Sequence, residues 1–187
     1  MAKHPDLQER LYREVMEHAP WSVEQIGVEQ VGNMEYLGTF LQEVLRLYPP
    51  VGFFPRINRF KETLGGVQVP PGTRISLVPH LLHRNPKYWD DPETFNPERW
   101  VNVSEEEAER RRFAFFPFGA GGRNCIGSYF ATLEAQMIVA AIVRSFQVEI
   151  APSQTDTEHT FTSRITMKSK PLLRLIVHER IATRMEI

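Results

Sequence analysis

The sequence predicts a mainly α-helical protein with small β-sheets, an α+β fold, on three observations. Apolar residues recur at helical spacing towards both ends of the chain. Short β-prone runs occupy residues 64–78 and the tail. Prolines, fourteen against eleven glycines, crowd the segments between them. Each residue that precedes a proline is pushed out of the helical region, so the middle of the chain reads as extended and looping between helical ends.

Pro5 suits the first position of a helix, with Asp6 and Glu9 favourable in the first turn. Leu7, Leu11 and Val15 give this helix an apolar face, and Pro20 ends it. A second helix is capped at Asn33 and runs to Tyr48, with Leu37, Phe40, Leu41, Val44, Leu45 and Tyr48 in one stripe, and Pro49-Pro50 stops it. Val67–Val69 and Arg74–Leu77 flank Pro70-Pro71-Gly72, whose last two residues fit the centre of a type II turn, and are read as a hairpin. Residues 104–112, four glutamates and then three arginines, form a solvated helix or loop. A third helix follows the glycine-rich stretch 119–127 and runs to about Arg144. Phe130, Leu133, Met137, Ile138, Ala141 and Ile142 make it apolar enough to be buried on most sides. Leu172–Val177 reads as a strand, and no internal repeat is present.

The 187 residues suffice for one domain with a core. Their 22 basic and 23 acidic side chains leave a formal charge of −1, so no global field points to nucleic acid or an acidic membrane. A single cysteine rules out an internal disulfide and fits a reducing compartment. The first residues lack the apolar segment of a signal peptide, and the longest apolar stretch, Met137–Val143, is far short of the ~20 residues a spanning helix needs. As written, the chain is expected to be soluble.

The chemistry concentrates in Phe116-Pro-Phe-Gly-Ala-Gly-Gly-Arg-Asn-Cys-Ile-Gly-Ser128. Cys125 sits where a glycine-rich loop turns into the apolar helix. There the N–H groups of Ile126, Gly127 and Ser128 could face the sulfur and favour a thiolate. Three other readings stay open on the residues alone: a small buried hydrophobe, a nucleophile, and a phosphate-cradling loop. The nucleophile lacks an assignable histidine partner, and the phosphate loop lacks a Gly-Lys-Ser/Thr ending.

Phe118-Gly-x-Gly121-x-Arg123-x-Cys125-x-Gly127 resembles, at every defined position, the haem-binding signature of the cytochromes P-450. The resemblance implies the haem-binding part of that fold and haem b as cofactor. It makes Cys125 the axial thiolate, Phe118 a shield for the sulfur and Arg123 a propionate partner, with Gly121 and Gly127 permitting the loop and the approach of the ring. Thiolate ligation pushes electron density onto iron. Glu43-Val-Leu-Arg46 resembles the family's Glu-x-x-Arg motif, and Phe95-Asn-Pro-Glu-Arg99-Trp100 its Pro-Glu-Arg-Phe segment, with tryptophan in place of the usual phenylalanine. Glu43, Arg46 and Arg99 would form a structural triad. Taken alone, Glu43 and Arg46 read as an exposed i,i+3 pair worth ~0.2–0.5 kcal/mol.

The family also places a propionate-binding arginine after this helix, and Arg59 is preferred to Arg56. His80 and His83 read as local hydrogen-bonding residues, not iron ligands. Val51–Phe54 and the segment Phe161–Ile165 are weighed as pocket lining, and Arg110, Arg111 and Arg112 as a docking patch for an electron donor.

The resemblance runs over nearly all of this chain but matches only about the C-terminal two-fifths of a family member. The distal oxygen-activating helix and the roof of the substrate pocket have no counterpart here, so residues 1–187 are expected to be a partial domain or fragment. The activity implied is a haem–thiolate monooxygenase that inserts one oxygen atom into an apolar small molecule. Its electrons would come from an NADPH-dependent reductase or a ferredoxin, and no nucleic acid is involved. A eukaryotic parent with an N-terminal anchor would sit on the endoplasmic reticulum membrane. The alternative is a truncated, inactive haem-binding or non-functional remnant.

Overall fold

The structure is a computed structural model that describes residues 1–20, 22–155, 157, 160–163 and 166–180, with the backbone alone at 161–163. Its helices are α1 (Pro5–His18), α2 (Val28–Gly32), α3 (Glu35–Leu47), α4 (Pro79–Leu82), α5 (Glu105–Arg112) and α6 (Ser128–Ser145). Four two-stranded antiparallel sheets accompany them. Phe54–Ile57 (β1) pairs with Arg74–Leu77 (β4), and Glu62–Leu64 (β2) with Val67–Val69 (β3). Phe146–Ile150 (β5) pairs with Leu175–Glu179 (β8), and Thr160–Ser163 (β6) with Met167–Lys170 (β7). This is the α+β arrangement predicted from the sequence.

Leu11 and Val15 of α1 with Ala19 just past its end, Leu37 and Phe40 of α3, and Ala140 and Val143 of α6 meet in one core. Buried polar side chains join these helices at long range. Gln8, almost fully buried, pairs with Val148 as a strand would: its Nε2 donates to the carbonyl at 3.0 Å and its Oε1 accepts the N–H at 2.7 Å. Glu14 of α1 accepts the backbone N–H groups of Tyr36 and Leu37 at 2.7 and 2.8 Å, which caps α3 from another helix. Arg144 of α6 donates to the carbonyls of Ala19 and Pro20 at 2.9 and 2.8 Å, closing the end of α1.

Several elements depart from the sequence reading. Asn33 does not cap the second long helix; it follows the one-turn α2, and Met34 precedes α3 without a side-chain cap. Val67–Val69 and Arg74–Leu77 are not partners. The hairpin closes instead at Gly65-Gly66, with φ of +55° and +83°, because a two-residue loop needs positive φ at both centres. The Pro70–Thr73 turn does form, with Gly72 at φ +83° and the Thr73 N–H on the Pro70 carbonyl, but it leads from one small sheet to the other.

α6 is not buried on most sides. Only Ala140 and Val143 are inaccessible, while Tyr129, Phe130 and Ile138 are 75%, 67% and 52% exposed. No helix among the described residues is long and apolar enough to cross a membrane. Gln8→Ala should strand the buried N–H and carbonyl of Val148, an unsatisfied-group cost of ~1–3 kcal/mol. The check is a lower urea midpoint at unchanged m-value.

Candidate functional site

The site is built on a buried carboxylate in α3. Glu43 Oε1 accepts from Arg46 Nη2, the Asn96 N–H and Arg99 Nε, each at 2.9 Å. Its Oε2 accepts from Arg46 Nε at 2.9 Å and the Trp100 indole N–H at 3.0 Å. Arg46 places its other donors on the carbonyls of His83, Pro92 and Thr94 at 2.8, 2.6 and 3.1 Å, so all five of its N–H groups are used. Arg99 completes the group by donating to the carbonyls of Asp90, Asp91 and Thr94.

The side chains of Glu43 and Arg46 are 0% exposed and that of Arg99 is 6% exposed. The exposed pair suggested by the local sequence is therefore replaced by a desolvated cluster, because the 85–100 segment covers that face of α3. Burial alone pushes the Glu43 carboxyl up. The hydrogen bonds from Arg46 and Asn96 and the charges of Arg46 and Arg99 outweigh it, holding the group below its ordinary range. Trp100, the departure from the family motif, contributes a donor that phenylalanine lacks.

Next to this cluster stands His83, fully buried and flanked by Phe115 and Phe116 at ring distances of 5.2 and 5.7 Å. Its Nδ1 lies 3.2 Å from the Arg46 carbonyl, and its Nε2 accepts the Phe116 N–H at 3.1 Å. Burial pushes its pKa down to about 4, with Arg46 adding repulsion. His80 instead meets the Arg84 guanidinium at 3.0 Å.

Phe116 opens the cysteine loop. The Gly119 N–H returns to the Phe116 carbonyl at 3.0 Å, and the Cys125 N–H reaches the Phe118 carbonyl at 2.9 Å and Asn124 Oδ1 at 2.8 Å. Gly121 turns at φ +70°, a left-handed conformation that suits glycine. α6 starts at Ser128, and the Ser128 N–H donates to the Cys125 carbonyl at 3.3 Å rather than to the sulfur. Phe118 is half-buried and lines a space of about 330 Å³ beneath the loop. The Cys125 thiol is exposed. A Cβ on Gly127 would stand 3.9 Å from that sulfur and meet no other atom of the chain. Among the described residues nothing crowds that position, which faces the thiol.

Beside the loop lies a cavity of about 810 Å³ lined by Phe53, Arg56, Ile57, Arg74, Ser76 and Arg123. Three arginines line it, and no acidic residue does among the described residues. Arg56 enters through β1, whereas Arg59, the residue preferred on sequence, is exposed beyond the strand and does not line it. Pairing in β1–β4 brings Arg56 next to Ile75 and Ile57 next to Arg74, which sequence spacing alone did not reveal.

Of the proposed pocket segments, Phe53 reaches this cavity and Phe54 contacts Phe116 at 6.5 Å. The Met167 N–H donates to the Pro50 carbonyl at 2.8 Å, so β7 adjoins the same stretch. Arg164 and Ile165 lie outside the described residues. Arg111 is not part of an exposed patch: it is 6% exposed, with the rings of Trp89 and Trp100 at 5.1 and 5.7 Å, and donates to Glu107 and the Arg99 carbonyl. Arg110 and Arg112 face Glu107 and Glu109 at 3.6 and 3.5 Å.

These residues fit a haem. No cluster of three or more histidine, cysteine or acidic side chains that could hold a metal exists among the described residues. A metal on this lone thiol must bring most of its own ligands, as a porphyrin does, and three arginines with no ion-pair partner among the described residues suit its two carboxylates.

Comparison with known proteins adds the family context. The sequence model described as "Cytochrome P450", the cytochrome P-450 family, matches residues 1–175. The chain is 34% identical over 178 residues to cytochrome P-450 4p1 of Drosophila melanogaster, covering 94% of this chain and 34% of that protein. It is 37% identical over 149 residues to cytochrome P-450 4V2 of Mus musculus, covering 80% and 28%. Lithocholate 6-beta-hydroxylase of Mesocricetus auratus is 32% identical over 95% of this chain and 35% of its own length. The chain thus spans about a third of the length of these relatives.

Two outcomes are expected for the buried cluster. Glu43→Ala, which leaves two arginines without their counter-ion, should cost ~3–5 kcal/mol, read as a fall in the urea midpoint. In wild type the folded Glu43 pKa lies below its unfolded value, so its contribution is complete above the unfolded carboxyl range and is lost as pH falls through the lower folded value. Urea titrations at successive pH values should show that acid loss in wild type, and it should be reduced in Glu43→Gln.

Proposed function

On the premise that this chain belongs to the cytochrome P-450 family, we propose that it is the C-terminal, haem-binding part of a monooxygenase. Haem b, when bound, supplies the redox-active iron at which dioxygen is activated. Cys125 would hold the iron through its thiolate, and Phe118, whose carbonyl accepts the Cys125 N–H, would shield the sulfur. Gly127 leaves the thiol's open side free for a flat ring. Arg123 and Arg56, with Arg74 close by, would bind the propionates through charge-assisted hydrogen bonds. This assignment prefers Arg56 to Arg59.

The observation that carries the reading is an exposed lone thiol next to a cavity with three arginines and no carboxylate. Glu43, Arg46 and Arg99 have a positioning role: they tie the 85–100 segment to α3 and so hold the base on which the loop is built. The complete reaction inserts one oxygen atom into an apolar substrate, with electrons from an NADPH-dependent reductase or a ferredoxin. One relative is named for hydroxylating lithocholate, which agrees with oxygen insertion.

The purified chain should bind added haem and give a strongly red-shifted Soret band in its reduced carbon-monoxide complex. Cys125→Ser should abolish that band, because a neutral hydroxyl poorly replaces a soft anionic sulfur; a surviving band overturns the ligand assignment. In a haem titration, Arg56→Ala and Arg123→Ala should each weaken binding by about 10-fold or more, from loss of a charged hydrogen bond. Arg59→Ala should leave it unchanged.

A further inference from the structure

We propose that His83 is a positioning residue for the cysteine loop, its neutral imidazole fixing Phe116 against the backbone of Arg46 so that Cys125 is presented in one place. The geometry is reciprocal. The Arg46 guanidinium donates to the His83 carbonyl at 2.8 Å, and the His83 ring reaches back to the Arg46 carbonyl at 3.2 Å. Because Nε2 must accept from the Phe116 N–H at 3.1 Å, the ring proton sits on Nδ1 and points at the Arg46 carbonyl. Both ring nitrogens are therefore occupied, one on each side of the boundary between the buried ion-pair cluster and the loop. Two backbone bonds continue the path, Gly119 N–H to the Phe116 carbonyl and Cys125 N–H to the Phe118 carbonyl.

Protonation would break this link in a specific way. A second ring N–H on Nε2 would face the Phe116 N–H, donor against donor, inside a site with no water access. The charged groups facing the ring are Arg46 from α3, with Glu43 behind it, and Arg84 beside it on the chain. Phe115 and Phe116 from the loop present no charge. Two nearby cations and burial agree with the low pKa of about 4. The folded value lies below the unfolded one, so the stabilisation is complete above about 6.5, the ordinary histidine value, and is lost as pH falls towards 4. A ring that only filled space would not need one tautomer or one protonation state.

This inference rests on the haem–thiolate reading only for its spectroscopic part, so the test has one arm without haem and one with it. Nitrogen-15 NMR of the chain should show His83 neutral at pH 7 with its proton on Nδ1. Hydrogen exchange at the Phe116 amide should quicken by about 10-fold in His83→Phe and His83→Asn, and recover in His83→Gln, whose longer amide reaches Phe116. Amides of α3 serve as the control for folding. With haem bound, the red-shifted carbon-monoxide fraction at equal haem content should fall in His83→Phe and be restored by His83→Gln. A proton on Nε2, a charged ring at pH 7, or unchanged Phe116 exchange in His83→Phe overturns the proposal. So does equal red-shifted signal in the Phe and Gln variants when Cys125→Ser abolishes it. If Cys125→Ser keeps the band, the haem reading fails, while the exchange data still decide the role of His83.

Discussion

The Glu43 carboxylate receives five hydrogen bonds from four residues, and the rest of the site is arranged around it. A carboxylate removed from water is costly unless its charge and its lone pairs are both satisfied. Here two guanidiniums answer the charge, while an indole and a backbone N–H occupy remaining acceptor positions. The same condition extends to Arg46, whose three donors not used on Glu43 need carbonyls. Those carbonyls come from His83, Pro92 and Thr94. Proline-rich loop backbone, which has no ladder of its own, is thereby given a defined path. The cluster is all-or-none, since removing one member leaves buried charge or buried donors behind.

From that base the order passes to the cysteine loop through aromatic contacts and one imidazole. Trp100, Phe115 and His83 follow one another at ring distances of 4.7 and 5.2 Å. Phe115 and Phe116 thus anchor the loop's root while its tip, residues 120–126, stays exposed. A fixed root and an open tip suit a ligand-bearing loop: the thiol is placed by the scaffold yet accessible to a group arriving from outside. Arg56 and Arg123 reach the adjoining cavity from separate supports, a sheet and the loop, so a bound dicarboxylate would join the two.

Long-range polar clamps hold the helices that carry this assembly. Gln8 on β5, Glu14 at the start of α3 and Arg144 at the end of α1 each satisfy backbone groups that their own elements leave unpaired. They fix the relative placement of α1, α3 and α6 more specifically than apolar contact does, because a hydrogen bond tolerates little displacement. The exposed Tyr129, Phe130 and Ile138 of α6 have no such partner within the described residues.

Periodicity and punctuation made the helices legible in the sequence: Pro5, Pro20 and Pro49 act through local sterics, and the stripe from Leu37 to Leu45 through the 3.6-residue repeat. The cysteine loop was equally legible, since its glycines, Arg123 and Cys125 lie within ten consecutive positions. What lay beyond the sequence was every decision that depends on residues far apart in it. Glu43 and Arg46 read as an exposed pair because their cover comes from residues 83–100, some fifty positions on. Residues 67–69 and 74–77 read as partners of each other, and not of β2 and β1, because a turn motif says where the chain bends, not which edge it meets. Arg56 rather than Arg59 lines the cavity because Arg56 lies within β1, whose partner β4 brings Arg74 and Ser76, while Arg59 lies past the end of the strand. Local backbone preference is written residue by residue, whereas burial, register and charge pairing exist only once distant segments have met.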